Sequence, residues 1–169
     1  MRIAKLETPV GMLTLVAGAL GLRAVLFSGE ASPAGAVGGA HPLLASAERQ
    51  LQEYFTGERR TFELPLDLVG TPFQRRCWLA LSSIAYGTTI SYGELARRLK
   101  HPRAARAVGA ANARNPIPIV LPCHRVVGAD CSLTGYGGGL DAKHVLLDHE
   151  TRVLEGARLT THSGRLLRR

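Results

Sequence analysis

A chain of 169 residues with 46% hydrophobic residues and a formal net charge of +8 is long enough to bury a real core, as one moderate domain or two small ones. It holds no run of about 18 or more apolar residues, and its first residues, MRIAKLETPV, lack a signal-peptide core, so a soluble, cytoplasmic chain without a membrane span is expected. Cys77, Cys123 and Cys131 are odd in number and contain no CxxC pair, which argues against a disulfide scaffold and against a cysteine-rich zinc site.

Apolar alternation in Arg2 to Leu6, Met12 to Val16 and Leu22 to Phe27, punctuated by Gly11, Gly18 and Gly21, predicts short antiparallel strands. Ser28 to Ala40, SGEASPAGAVGGA, is small, glycine-rich and too poor in apolar surface to hold one conformation, and is expected to be a mobile loop. Leu43, Leu44, Ala47, Leu51 and Tyr54 recur at helical spacing after Pro42, predicting a helix of about three turns. Phe62, Leu64, Leu66 and Leu68 then alternate up to Gly70, where a boundary is placed between an N-terminal α+β unit, residues 1–70, and the remainder, residues 71–169.

Charge divides at the same place. Residues 1–70 carry six Lys/Arg against seven Asp/Glu, whereas residues 71–169 carry fifteen against six, a net of +9. A basic surface concentrated in one segment is a footprint for phosphate, and nucleic acid is the commonest large polyanion in cells. The plainer reading is a solvated basic face.

Past residue 70 the pattern turns helical. Thr71, Pro72 and Gln74 supply a cap, a first-turn proline and a capping-box partner ahead of an apolar face of Phe73, Cys77, Trp78 and Leu81. Tyr86-Gly87 turns the chain, and Ser91 with Glu94 repeats the capping box before a short second helix. A third helix is expected from about Arg103 to Ala113, and three helices so arranged read as helix-turn-helix. Its residues Ala104, Ala105, Ala107, Gly109, Ala110 and Ala111 make it slim, which matters because an ordinary helix is roughly 10 Å across and the B-form minor groove only about 6 Å wide. Arg103, Arg106 and Arg114 favour a DNA face over tight internal packing. Beyond Asn112 no set of base-reading side chains stands out, so little sequence specificity is expected.

Ile119 to Val126, IVLPCHRV, delivers a cysteine, a histidine and an arginine at the end of an apolar run. Alone, such a cysteine is more often a buried small hydrophobe than a nucleophile. Context reverses that: Arg106 to Pro116 (RAVGAANARNP) upstream and Thr134 to Leu140 (TGYGGGL) downstream make the three blocks, in this order, resemble the O6-alkylguanine-DNA alkyltransferases. The resemblance covers residues 71 to about 150 closely and residues 1–70 loosely. It implies an α+β fold, with a small ribonuclease H-like N-terminal α/β domain and a C-terminal helical, winged helix-turn-helix-like domain that carries the active site. It also implies a monomer acting on double-stranded DNA without a cofactor.

The same resemblance implies the roles. Cys123 accepts the alkyl group from O6 of guanine in an irreversible, single-turnover step, with O4-alkylthymine as a second possible substrate. A thiol of ordinary pKa is mostly protonated at neutral pH and needs a base. His124 is that candidate, acting through a water and oriented by Glu150. The Tyr92 hydroxyl and the Gly137 N–H would face the leaving guanine, while the carbonyls of Cys123 and Val126 read its exocyclic amine. Tyr136 and Gly138 complete the pocket, and Lys143 supports it. The base must be rotated out of the duplex to be reached, and Arg106 would fill the gap it leaves. Tyr92, Ala105, Asn112 and Arg114 would join it on DNA, and Asn115 braces the turn.

Cys131, Gly137, Val145 and Cys77 depart from the usual family residues, Gly137 in the direction of a wider alkyl pocket. No cysteine and histidine set for a metal is present in the N-terminal half, and no structural metal is expected. The alternative from another class is a non-enzymatic lesion-sensing or regulatory DNA-binding protein, which the presence of Cys123 disfavours. A cysteine hydrolase would leave the basic helix without a task. The arginine-rich end, Arg165 to Arg169, carries no motif and reads as disorder.

Overall fold

A computed structural model describes residues 1–166, with side chains through Ala157. The arginine-rich end read as disorder therefore lies outside the described side chains, and residues 167–169 lie outside the described residues.

The three alternating segments form an antiparallel meander of β1 (Arg2–Thr8), β2 (Gly11–Ala17) and β3 (Leu22–Leu26). Pro9 and Val10 close the first hairpin between the paired Thr8 and Gly11. Gly11 there takes a φ of 94°, a conformation that costs a side-chain-bearing residue dearly. One face of the sheet is covered by α1 (Pro42–Phe55), whose Leu44, Ala47, Leu51 and Tyr54 are buried at helical spacing. At 14 residues α1 is nearly a turn longer than expected.

One expectation for this half is corrected. The glycine-rich loop contains β4 (Val37–Gly38), which pairs in parallel with β1 and gives the sheet order β3-β2-β1-β4. The free edge of β1 offers main-chain partners to any backbone, so poor side-chain composition does not prevent pairing. Conversely, the alternating run from Phe62 to Leu68 forms no strand, only a bridge of Leu66 with Leu22. Pro65 lacks a donor and cannot extend a ladder. Its carbonyl instead accepts from the Leu22 N–H at 2.8 Å, and the Asp67 N–H returns to the Leu22 carbonyl at 2.9 Å.

In the second half α2 (Pro72–Leu81) opens with the complete Thr71/Gln74 capping box and buries Cys77, Trp78 and Leu81. The second box is only half made. Ser91 accepts from the Glu94 N–H as α3 (Tyr92–Arg98) begins, but the Glu94 carboxylate turns to Arg97 at 2.8 Å and Arg98 at 3.4 Å. Both α2 and α3 pack on α4 (Ala105–Asn112), and the Trp78 indole N–H anchors it by donating to the Ala111 carbonyl at 2.8 Å. A last helix, α5 (Gly139–Leu166), runs for 28 residues.

A small parallel pairing positions the site. β5 (Ile90–Ser91), just ahead of α3, pairs with β6 (Val126–Val127), just after the PCHR segment. One buried apolar cluster runs through both halves, from Leu15 and Tyr54 through Trp78 to Leu121 and Leu146. The architecture is α+β, with a sheet unit followed by a helical unit.

Candidate active site

Cys123 is reached by a tight, braced segment rather than by the strand that its apolar run suggests. Pro116, Pro118 and Pro122 remove donors that a ladder requires, so the chain folds back on itself. Asn115 clamps the fold: its amide N–H donates to the Leu121 carbonyl at 2.7 Å while its amide oxygen accepts from the Ile117 N–H at 3.1 Å. The Leu121 N–H closes the loop onto the Ile117 carbonyl at 2.9 Å. Between them Ile119, β-branched and fully buried, sits at a φ of 74°. Such a conformation costs on the order of 1–3 kcal/mol and persists only where its surroundings over-determine it. The segment ends in a 3-10 turn, Cys123–Arg125, in which all three side chains are buried.

Burial governs the thiol. It pushes the Cys123 pKa up to about 11, opposed by a hydrogen bond from Asn115 and by the nearby Lys143 charge. A group so placed is a thiol at neutral pH and requires a base to become a nucleophile.

A candidate for that base lies next in the chain. His124 is fully buried, and its Nε2 lies 2.8 Å from Glu150 Oε1. Burial works against the charged form of Glu150, but the hydrogen bonds and positive charges of His124 and Arg125 outweigh it and hold the carboxyl down at about 2. An ionised carboxylate only accepts, so the network assigns the imidazole proton to Nε2 and leaves the lone pair on Nδ1. Nδ1 is buried and has no hydrogen-bond partner among the described residues. Burial lowers the His124 pKa while Glu150 raises it, with burial prevailing, so the ring is neutral and able to take a proton.

Three further groups hold Glu150, and none was anticipated. The Tyr54 hydroxyl donates to Oε1 at 2.8 Å and the Gly87 N–H to Oε2 at 2.8 Å. Arg125 grips both oxygens, through Nη2 to Oε1 at 2.9 Å and Nε to Oε2 at 3.0 Å, and spends Nη1 on the Ile84 carbonyl at 2.7 Å. Arg125 was visible beside His124 in the sequence, whereas Tyr54 merged into the apolar stripe of α1.

The other candidates converge from several elements. The β5–β6 pairing sets Tyr92, the residue after β5, beside the segment after Cys123, and its hydroxyl accepts from Thr134 Oγ1 at 3.2 Å. Lys143 is fully buried, its ammonium donating to the carbonyls of Val126 at 2.6 Å and Thr134 at 2.9 Å. It ties β6 to the glycine-rich loop. A pocket of about 240 Å³ opens against Cys123, lined also by Asn115, Pro118, Tyr136 and Gly137 from the C-terminal half and by Phe27 from the N-terminal half. Gly138 lies behind its wall, against Phe27.

Along α4 one face is buried through Val108, Ala111 and Asn112, while Arg106, Ala107 and Ala110 are exposed, flanked by exposed Arg103 and Arg114. Ala105 is half-buried at the helix start. Asn112, expected among the DNA-contacting residues, is instead 4% exposed and lines the pocket, its amide oxygen without a hydrogen-bond partner among the described residues. Its neighbours in sequence show why: a polar residue on the inner face of a slim helix cannot be told from one on the outer face when nearly every other position is small. Cys77 is buried and Cys131 exposed, both as free thiols.

Comparison with known proteins places this geometry. Residues 72–152 match the 6-O-methylguanine DNA methyltransferase, DNA binding domain, and residues 1–68 match the ribonuclease-like domain of the same name. A methylated-DNA–protein-cysteine methyltransferase of Mycolicibacterium paratuberculosis is 50% identical over 149 residues, 86% of this chain and 90% of the relative. The constitutive enzyme of that name from Bacillus subtilis is 54% identical over 110 residues, 64% of this chain and 67% of the relative. The crystal structure of Mycobacterium tuberculosis OGT in complex with DNA superposes with a TM-score of 0.85 at 43% identity, covering 90% of this chain and 94% of that one. The sheet unit, the helical unit and the Cys-His-Glu geometry thus occur together in a chain that belongs to the 6-O-methylguanine DNA methyltransferase family.

Proposed function

We propose that this chain repairs alkylated DNA by direct reversal, moving the alkyl group from O6 of guanine onto Cys123 in a single, irreversible turnover. The observation that carries this reading is a buried thiol at a pocket beside a neutral histidine whose outer nitrogen is held by a carboxylate. The proton of Cys123 passes to His124 Nδ1 through a bridging water, and Glu150 stabilises the imidazolium that results. Sulfur then attacks the alkyl carbon, an S–C bond forms, and the C–O6 bond breaks with its electron pair moving into the guanine ring. The Tyr92 hydroxyl and the Gly137 N–H donate to that developing charge. The carbonyls of Cys123 and Val126 take the exocyclic amine, and Lys143 orients Val126 through the bond already described. The thioether product is not released by water, so each molecule acts once. The direct test is to mix the chain with a duplex carrying one O6-methylguanine and map the adduct by peptide mass spectrometry. One methyl per chain, on Cys123, is the expected result; a methyl on another residue, or turnover beyond one, sinks the reading.

The target reaches the pocket only outside the base stack. Arg106, exposed on α4 among alanines, is proposed to occupy the vacated space, with Tyr92, Ala105 and Arg114 along the DNA backbone. Arg106→Ala is expected to slow transfer from a duplex by roughly 10²-fold, the cost of a misplaced substrate. Transfer from the free base O6-methylguanine should hold its rate. Single-turnover rates on the two substrates decide it, and equal losses on both would remove Arg106 from the flipping step.

Fifteen of the chain's basic residues lie in residues 71–169, so DNA affinity is expected to fall steeply with salt. Six phosphate contacts give a log–log slope of about −5. Fluorescence anisotropy from about 50 to 200 mM salt, over which such contacts lose roughly 10³-fold in affinity, reads the slope directly, and a flat response contradicts a phosphate-binding face. We further propose a monomer working in the cytoplasm; no helix among the described residues is long and apolar enough to cross a membrane.

A further inference from the structure

The loop from Thr134 to Gly138 has little stiffness of its own. Three of its five residues are glycine, and a Cβ at Gly135 or Gly137 would meet nothing within 4 Å among the described residues. Where the Gly137 N–H lies must therefore be set by what grips the loop from outside. At its start the grip is Lys143 on the Thr134 carbonyl. At its end the Tyr136 carbonyl accepts from the Gly139 N–H at 3.0 Å where α5 begins, and the side-chain grip in between comes from the other half of the molecule. The Phe27 ring meets the Tyr136 ring edge to face, with centroids 5.6 Å apart, and an added Cβ at Gly138 would fall 2.6 Å from Phe27 Cε1. Gly137 lies between these two contacts.

Phe27 is itself fixed. It follows β3, is 7% exposed, and donates its N–H to Glu30 Oε2 at 2.6 Å. Two residues earlier, the Val25 N–H donates to the Pro116 carbonyl, in the segment braced by Asn115, at 2.9 Å. One short stretch of the sheet unit thus contacts both walls of the Cys123 pocket. Tyr136 passes the contact inward, its ring lying 6.4 Å from that of His124.

We infer that Phe27 is a positioning residue for alkyl transfer: from the N-terminal unit it sets the height of the Gly137 N–H over the pocket and, with it, the size of adduct admitted. The inference rests on the proposed role of Gly137 in holding the leaving guanine.

A bump-and-hole cycle tests it. Single-turnover rates are measured with O6-methylguanine and O6-benzylguanine free bases for wild type, Phe27→Ala, Phe27→Leu, Gly138→Ala and the Phe27→Ala/Gly138→Ala double variant. Each is checked for folding by thermal melting. Phe27→Ala is expected to slow methyl transfer by roughly 10- to 100-fold, as sub-ångström to 1 Å misplacement does, while the benzyl-to-methyl rate ratio rises several-fold. Phe27→Leu should restore part of the methyl rate. Gly138→Ala should cost a similar factor alone and much less in the Phe27→Ala background, because the clashing ring is gone. Losses that simply multiply, with the benzyl-to-methyl ratio unchanged, reduce Phe27 to ordinary core packing and overturn the inference. Failure of wild type to alkylate Cys123 would instead overturn the underlying reaction, so the two failures are separate.

Discussion

Cys123→Ala is expected to abolish alkyl transfer while leaving binding to lesion-containing duplex within about a factor of two, because the exposed face of α4 is untouched and remote surface energetics shift by ~0.5 kcal/mol or less. The variant removes one buried sulfur from a site that is 4% exposed, a small cavity costing on the order of 1 kcal/mol, so it should fold. Mass spectrometry after incubation with O6-methylguanine duplex, with anisotropy for affinity, gives both readouts; adduct formation in this variant would remove Cys123 from the mechanism. On the proposed mechanism the same chemistry makes the base indispensable. With a pKa near 11, only roughly one Cys123 in ten thousand is a thiolate at pH 7. His124→Ala is accordingly expected to slow transfer by about 10²- to 10⁴-fold, the range of general-base catalysis. Its residual rate should climb tenfold per pH unit toward 11, whereas the wild-type rate depends far less on pH between 7 and 9.

How much of this was legible in the sequence follows from the range of the interactions involved. The meander, α2 and the slim α4 are legible because each is specified locally, the meander by its alternation and glycine turns, α2 by its apolar face and the Thr71/Gln74 box, and α4 by its run of small residues. Cys123, His124, Glu150, Tyr92 and Lys143 enter through a resemblance in three sequence blocks; in the structure His124 bonds Glu150, while Tyr92 and Lys143 both meet Thr134. Periodicity alone would have left Glu150 on a helix surface and Tyr92 in the core. What stayed hidden is long-range. Tyr54 reaches Glu150 across 96 positions, and Phe27 reaches Gly138 across the whole helix-turn-helix region. Neither contact leaves a trace in the spacing of its neighbours. The β4 pairing was hidden for the same reason, its partner lying some 35 residues away on β1; the Ser91 box is half made for a local one, because Arg97 and Arg98 on the same helix compete for the Glu94 carboxylate.

The Glu150 cluster also makes the fold acid-sensitive, in a window its charges define. Glu150 is held at about 2, below its ordinary 4.5. Its carboxylate therefore stabilises the folded state fully above about pH 4.5 and loses that contribution as pH falls toward 2. His124 acts in the same sense. Its folded pKa lies below the ordinary 6.5, so the unfolded chain takes up a proton that the buried ring resists, and stability begins to decline as pH drops below about 6.5. Glu150→Gln removes the charge that compensates Arg125, which is only 5% exposed. It also sets an amide N–H₂ against donors from Arg125, His124, Tyr54 and Gly87. Breaking a buried pair from one side costs about 3–5 kcal/mol, enough to lower the thermal midpoint by roughly 6–20 °C in a domain of this size. The variant should lose alkyl transfer with it, since His124 then lacks the charge that supports its protonated form. Thermal midpoints measured from pH 7 to pH 3 for both proteins separate the contributions. Wild type should fall more steeply than Glu150→Gln below pH 4.5, the curves converging in acid; parallel curves there would mean that the Glu150 carboxyl titrates at an ordinary pH and that Arg125 and His124 do not hold it ionised.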